Sequence, residues 1–338
     1  MDRLNTLPRP FRDASLYEAT LAAGFKTFPQ RQENYLKYQA AQRGEVLDYL
    51  PVMLDIENVS RCNYHCTMCQ VSDWEGFKRA EDMSFEDYPL LGKCYFEMIE
   101  YARSKHIWVR STTNASILHF QDNYRRLIDA DICELQVSVD GTAKETYEKI
   151  RRGGRFEKVV ENCRLLNEYC RDTNRKRTRM WTVVQQDNFS ELEQFPVLAA
   201  DLGFERLTLS LDVNDWGQDE WREVNQKVDV HRRFDLSMAE RLIAIGKQHN
   251  VEVTFWFIDQ KYDTTDPKKL CPWPFDRLYI SSDMKIVPCC MVANPEVCEL
   301  GDARNLTQEW NSEQMIAFRR AHLGGNIPKI CTACYSNF

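Results

Sequence analysis

Three closely spaced cysteines open the widest range of chemistry to this chain. They stand in the loop Arg61-Cys62-Asn63-Tyr64-His65-Cys66-Thr67-Met68-Cys69-Gln70, spaced C-x3-C-x2-C, directly after the apolar run Val52-Met53-Leu54-Asp55-Ile56-Glu57-Asn58-Val59. Thiolates this close in sequence can grip one soft metal centre. Their number is informative. A structural zinc site is normally closed by four ligands, whereas an iron-sulfur cube held by three cysteines keeps one iron open. A zinc knuckle completed by His65 or a distant cysteine is the alternative on the same residues.

A second constellation lies near the C-terminal end. Cys271-Pro272-Trp273-Pro274-Phe275 opens it, and residues 277–290 read as a β-hairpin turning near Ser282-Asp283 and ending in Cys289-Cys290. A helix is expected over 306–323, and Cys331-Thr332-Ala333-Cys334 follows. Cys271, Cys289, Cys331 and Cys334 thus make a four-thiolate set, suited to a [4Fe–4S] centre or to a zinc ribbon. Cys290 could replace Cys289 as the ligand, and Cys298 is a further ligand or a free thiol. Cys94, Cys133, Cys163 and Cys170 sit at no metal-like spacing and read as small buried hydrophobes.

These clusters need elements to position them. From residue 50 the sequence alternates between strand and helix: strands at 52–59, 106–112, 134–139, 179–184, 206–211 and 251–258, with helices at 95–105, 122–129, 144–150, 156–171, 191–202 and 238–249 between them. Such alternation implies a parallel sheet, and the cysteine loop follows the first strand, where α/β barrels place their chemistry. Residues 1–48 suit short amphipathic helices lying across the barrel. The expected organisation is a helical extension (1–48), a partial barrel (49–262) and a small cysteine-rich domain (263–338).

Composition narrows the function. A net charge of -7 over 338 residues argues against nonspecific nucleic-acid binding, and the basic stretch 171–179 reads as a solvated helix end and loop. The first residues lack the apolar core of a signal peptide, and no run is long enough to span a membrane. A cytoplasmic location follows as an expectation. In a reducing compartment, thirteen clustered cysteines favour metal ligation over disulfides.

The C-x3-C-x2-C loop resembles the signature of the radical S-adenosylmethionine (SAM) enzymes. The resemblance implies an incomplete (β/α)6-type TIM barrel and a [4Fe–4S] cluster whose open iron chelates the amino and carboxylate groups of SAM. It also implies a 5'-deoxyadenosyl radical that takes a hydrogen atom from the substrate. Thr112-Thr113-Asn114-Ala115 looks like the family's third-strand end. Ser138-Val139-Asp140-Gly141 followed by Ile150-Arg151-Arg152-Gly153-Gly154-Arg155-Phe156 looks like its fourth strand and the turn beyond. In relatives with this pattern the serine and first arginine lie near the SAM carboxylate, which maps onto Ser138 and Arg151; an arginine fork is well matched to a carboxylate. Asn114 and Gln185 are further candidate cofactor contacts. Between Cys69 and Asn114 the family usually has a Gly-Gly-Glu-Pro-like motif, of which only Pro89-Leu90-Leu91 resembles the tail, so that about a strand and a helix are missing. The second constellation resembles the SPASM extension in its shorter, twitch form, with one auxiliary [4Fe–4S] cluster, because four residues follow Cys334.

A radical made near a second cluster suggests oxidation of an alcohol carbon in a polar small molecule such as a sugar, cyclitol or aminoglycoside-type metabolite. Cys290, Cys298, Asp212 and Asp259 are the candidate hydrogen donors and proton acceptors, and a flavodoxin or ferredoxin type of reducing partner is implied. The alternatives are epimerisation of such a metabolite, maturation of a ribosomal peptide or protein, and a metal-binding interaction protein without catalysis.

Overall fold

In the computed structural model residues 6–83, 95–257 and 262–335 are described. The expected alternation is present. Helices α1 (Ala14–Thr27) and α2 (Pro29–Ala40) precede β1 (Met53–Ile56); then come α3 (Tyr95–Ser104), β2 (Arg110–Thr113), α4 (Asn123–Asp129), β3 (Glu134–Ser138), α5 (Lys144–Ile150), α6 (Phe156–Asp172) and β4 (Thr178–Val183). The chain continues with α7 (Gln194–Asp201), β5 (Arg206–Ser210), α8 (Asp219–Gln226), α9 (Leu236–Gln248) and β6 (Glu252–Trp256). The C-terminal part holds α10 (Trp273–Asp276), β7 (Arg277–Ile280), β8 (Lys285–Val287), β9 (Gly301–Asp302), α11 (Leu306–Glu309) and α12 (Glu313–Leu323).

Strands β2 to β6 form one parallel sheet in sequence order, and β1 stands outside it, in a second sheet ordered β1-β7-β8-β9. This departs from a barrel wall in which β1 would open the main sheet. Instead β1 pairs in parallel with β7, Asp55 opposite Tyr279 and Ile56 opposite Ile280. The ladder crosses the boundary drawn at residue 262 and joins the cysteine-rich part directly to the strand that feeds the cysteine loop. The segment resembling a Gly-Gly-Glu-Pro tail, Pro89-Leu90-Leu91, lies outside the described residues, as does Cys94.

Alternation along the strands sets the two faces of the main sheet. One face, with Met180, Leu207, Leu209, Val253 and Phe255, is buried in the main core beneath the helices. The other is polar and faces inward. There Arg179 donates to the hydroxyls of Thr208 (3.4 Å) and Thr254 (3.5 Å), and two residues further along the strands Trp181 and Trp256 meet at 6.2 Å between ring centroids. Arg179 is 1% exposed, so the basic stretch 171–179 is solvated only up to the start of β4. Inside the sheet, Glu134 at 3.7 Å and the Phe11 carbonyl at 2.8 Å compensate the buried guanidinium.

The free edge of β6 is covered by the N-terminal segment, where Phe255 N–H donates to the Pro8 carbonyl (2.8 Å) and Leu7 joins the main core. Covering an edge removes a template for unwanted strand pairing. Asp13 then caps α1 by accepting from Leu16 N–H. The helix expected over 306–323 is two helices. Ser312 caps α12 through Met315 N–H, because a hydroxyl at an N-cap satisfies a donor that the helix cannot. Among the described residues no helix is long and apolar enough to cross a membrane.

Candidate radical-cluster and auxiliary-cluster sites

The C-x3-C-x2-C loop leaves the C-terminal end of β1 and is pinned against the turn that ends α5. His65 N–H donates to the Arg152 carbonyl (2.8 Å) and Thr67 N–H to the Ile150 carbonyl (3.0 Å). This approach requires the glycine pair. Gly153 has φ +87°, a conformation that side chains rarely adopt. A Cβ on Gly154 would lie 3.0 Å from both the Tyr64 and the Tyr147 rings and 2.9 Å from the Arg151 carbonyl. Within the loop, Cys69 N–H donates to the Cys66 carbonyl (3.2 Å).

The end of β2 reaches this loop. Asn114, past β2, donates to the Asn63 carboxamide oxygen (2.9 Å), and Asn63 donates to the Ser116 hydroxyl (2.9 Å). Asn114 is therefore brought to the cysteine loop, as a positioning group for it. Ser138 is buried at the end of β3. Past β4, Gln185 is fully buried and both polar atoms of its carboxamide lack a partner, so an acceptor and a donor there await a bound group or water.

Arg151 is placed differently from the expectation that it faces a cofactor carboxylate. Its Nε and Nη2 both donate to Asp140 Oδ2 at 2.7 Å, while Asp140 Oδ1 accepts from Val183 N–H at 2.8 Å. Asp140 has no exposure and Arg151 only 8%. The fork is already spent on an internal carboxylate, and the pair braces the turn on which the cysteine loop rests. Asp140 is the residue the sequence did not single out. Its only signal was its place at a strand end, before Gly141.

Burial pushes the Cys66 thiol up to about 12, against the pull of the Arg151 guanidinium. Burial likewise raises Cys69. Neither would ionise readily alone, so thiolate formation here is coupled to metal binding. The donor set fits an iron-sulfur group: three free thiols, Cys62, Cys66 and Cys69, on one short loop. Among the described residues no three His, Cys, Asp or Glu side chains are gathered as a single metal ion requires.

In the C-terminal part, Cys271, Cys289, Cys331 and Cys334 lie within one another's electrostatic reach; burial raises the Cys289 and Cys331 thiols, and the neighbouring thiols add to the rise. Cys271 N–H donates to the Tyr335 hydroxyl (3.0 Å), and Tyr262 N–H to the Cys334 carbonyl (2.9 Å), which ties the set together. Cys290, although an exposed residue, has its thiol within electrostatic reach of Cys289, Asp55, Arg110 and Arg277 and not of Cys271, Cys331 or Cys334. Cys298 packs against the second core cluster, near Cys331. Asp212, past β5, pairs with His231 Nδ1 at 3.0 Å, and Asp259 lies outside the described residues.

One side-chain contact joins the two cysteine segments directly, and a second ties the insertion after β5 to the C-terminal one. Gln70, one residue past Cys69, donates through Nε2 to the Val292 carbonyl (3.0 Å), and Asn214 donates to the Met291 carbonyl (2.8 Å). Trp216 Nε1 donates to the Met68 carbonyl (3.0 Å), so the insertion after β5 buttresses the same loop.

Comparison with known proteins agrees with this arrangement. The Radical SAM superfamily profile matches residues 83–195, beginning beyond the cysteine loop, and the SPASM profile, an iron-sulfur cluster-binding domain, matches residues 271–335. Mycofactocin maturase MftC of Mycolicibacterium smegmatis is 23% identical over 43% of this chain and 36% of its own length. The corresponding protein of Mycobacterium ulcerans is 24% identical over 52% of this chain and 51% of its own. The chain thus matches between about a third and about half of the length of these relatives. Among solved structures, Streptococcus suis SuiB bound to S-adenosylmethionine has a TM-score of 0.57 at 13% identity, covering 88% of this chain and 70% of SuiB. Native anSMEcpe with bound AdoMet and Cp18Cys peptide has a TM-score of 0.56 at 15% identity, covering 83% and 87%. The chain belongs to the radical SAM superfamily, with a C-terminal SPASM iron-sulfur cluster-binding domain.

Proposed function

We propose that this radical SAM enzyme abstracts a hydrogen atom from a residue of a peptide or protein, oxidising it as a maturation step. The observation that carries the reading is the coupling of the two cysteine sets through the β1–β7 ladder and the Gln70–Val292 bond. The substrate class rests on the relatives, which are maturases, and on a neighbour solved with a peptide. These favour the peptide alternative over the sugar- or cyclitol-type alcohol that the sequence suggested first.

In this reading Cys62, Cys66 and Cys69 hold the cluster that receives SAM, and Cys271, Cys289, Cys331 and Cys334 hold the auxiliary cluster. When bound, SAM and its cluster supply a carbon-centred radical able to attack an unactivated C–H bond. The chain's own residues do the rest. The Arg151–Asp140 pair fixes the turn under the cysteine loop, Asn114 orients Asn63 within it, and the Gln185 carboxamide offers a donor and an acceptor to the bound cofactor. Ser138 lies at the strand end beside it. Trp181 and Trp256 lie side by side on the inward face of the sheet. The chain is divided in function as a helical cover (1–48), the radical-generating part (49–262) and the auxiliary part (263–338), the last built onto β1.

The test is to incubate the anaerobically reconstituted enzyme, SAM and dithionite with short peptides encoded beside its gene. A mass change in one peptide, with matching 5'-deoxyadenosine, supports the reading. Unchanged peptides, with 5'-deoxyadenosine release stimulated instead by cyclitols or aminoglycoside fragments, would return the substrate to the small-molecule class.

A further inference from the structure

One ion cluster belongs to neither cysteine set and joins the two parts of the chain that carry them. Arg79 lies on the segment that returns from the cysteine loop, where Arg61 and Lys78 form an antiparallel bridge, and its side chain is 3% exposed. Its Nη2 donates to Glu57 Oε2 at 2.8 Å, and its Nη1 pairs with Asp283 Oδ1 at 3.1 Å. Glu57 follows β1 on the way to Cys62, and Asp283 stands in the β7–β8 turn on the way to Cys289. The same Glu57 oxygen accepts from Ser282 N–H at 3.1 Å, and the Ser281 hydroxyl donates to Asp283 at 2.7 Å. A single guanidinium thus grips both cysteine-bearing parts.

The base of the clamp is fixed too. Arg79 N–H donates to the Ser60 carbonyl (3.2 Å), and the Ser60 hydroxyl donates to the Ala80 carbonyl (2.6 Å) and accepts from Ala80 N–H (2.9 Å). The β1–β7 ladder extends this far, with Glu57 N–H donating to the Ile280 carbonyl (2.8 Å). The turn beyond it, which sends β8 back towards Cys289, is held through Glu57 and Arg79. A planar fork reaches two carboxylates at once, which a lysine ammonium does not reproduce. Burial pushes the Glu57 carboxyl up, Arg79 pulls against that rise, and Asp283 adds to it; without the guanidinium the two acids would share the site with no cation between them. Among the described residues, the other ion pair between 49–262 and 263–338 is Lys329–Asp219, both mostly exposed, and exposed pairs hold little.

We propose that Arg79 is a positioning residue: by holding Glu57 and Asp283 together it fixes the auxiliary four-cysteine set relative to the C-x3-C-x2-C loop. This rests on the two-cluster reading and names the residue that sets the relation between the clusters. Electron exchange between two redox centres falls steeply with their separation, so that relation is a functional quantity. A site needs its supports to hold it within about 0.5 Å, and one whose supporting residues are lost sits about 1 Å too loose.

The experiment uses the full chain, reconstituted anaerobically and reduced with dithionite, as wild type and as Arg79→Gln, Arg79→Lys and Asp283→Asn. Iron and acid-labile sulfide show whether both clusters are present. Microwave power saturation in electron paramagnetic resonance then reads how strongly one reduced cluster relaxes the other, an effect that also falls steeply with separation. Cys289→Ala, lacking the auxiliary cluster, marks the value without a neighbour. Arg79→Gln and Asp283→Asn are expected to lower the half-saturation power at least twofold towards that value, and Arg79→Lys to restore only part of it. Lys329→Ala, which breaks the exposed pair, should leave it unchanged. If Arg79→Gln loses iron, Asp283→Asn decides, because it leaves the buried Glu57–Arg79 pair in place. Wild-type relaxation in Asp283→Asn, or an equal loss in Lys329→Ala, overturns the proposal. So does a lowered melting temperature with relaxation unchanged, which is what a merely structural ion pair gives. Iron for a single cluster in the wild type refutes the two-cluster reading itself, and the proposal with it.

Discussion

Changing Asp140 to Asn tests whether Arg151 is a brace or a cofactor clamp. Both carboxylate oxygens of Asp140 accept: Oδ2 from Arg151 Nε and Nη2, Oδ1 from Val183 N–H. A carboxamide has one acceptor oxygen and an NH2 group in place of the other. Whichever way it turns, a donor faces a donor, and the Arg151 charge is left buried without its counterion. Removing one partner of a buried pair costs about 3–5 kcal/mol. In a chain of this size that lowers the melting temperature by on the order of 4–7 °C. Arg151→Met should cost a similar amount, and the double variant markedly less than the sum of the two, because the two groups share one interaction. Anaerobic thermal unfolding of the four proteins without SAM provides the measurement. If Arg151 is instead a solvent-facing fork awaiting the SAM carboxylate, Asp140→Asn will melt within a degree of wild type, and the two single changes will simply add. That result would refute the bracing role.

Three further outcomes are expected. Cys289→Ala should remove about one cluster's worth of iron and sulfide from the reconstituted protein, whereas Cys290→Ala should leave the content unchanged; iron and acid-labile sulfide assays distinguish them. Gly154→Ala forces its methyl group into the Tyr64 and Tyr147 rings and should lower iron retention at the three-cysteine loop, at a cost of about 1–3 kcal/mol for overpacking, read by urea unfolding and iron analysis. Burial raises the non-ligand thiols Cys163 and Cys170 to about 12 and about 11, respectively. The unfolded chain then loses these protons near the ordinary thiol range while the folded one retains them. Their contribution to stability is full below about pH 8.5 and is lost as pH rises towards those values, at up to ~1.4 kcal/mol per pH unit for each thiol. The fall of the urea midpoint between pH 8.5 and 10.5 should accordingly be shallower in Cys163→Ala than in wild type.

Local patterns were legible where the chain's neighbours in sequence decide the structure. The helix expected over 144–150 is α5, Lys144–Ile150, and the hairpin turn falls at Ser281-Met284, where Met284 takes φ +66°. Cys62, Cys66 and Cys69 stand out for the same reason, being close neighbours in sequence. What sequence could not show depends on long-range pairing. Asp140 and Arg151 are 11 residues apart and meet only because α5 folds back over β3. Gln70 and Val292 are 222 apart. The β1–β7 ladder joins segments assigned to different domains, since nothing in Met53–Ile56 names its partner strand. The strand expected over 106–112 begins only at Arg110, because His106 takes φ +53° in closing α3 and Ile107 N–H still bonds back to Ala102. Cys289 and Cys290 are adjacent and chemically identical, and only the fold turns one thiol to the auxiliary set and the other to Asp55.

The most direct measurement is 5'-deoxyadenosine release from SAM by the anaerobically reconstituted, dithionite-reduced protein, beside a variant with Cys62, Cys66 and Cys69 changed to alanine. Steady release by the wild type and none by the variant is the predicted result. No release from a wild-type protein shown to carry its cluster, or equal release from both, would contradict radical generation at this loop.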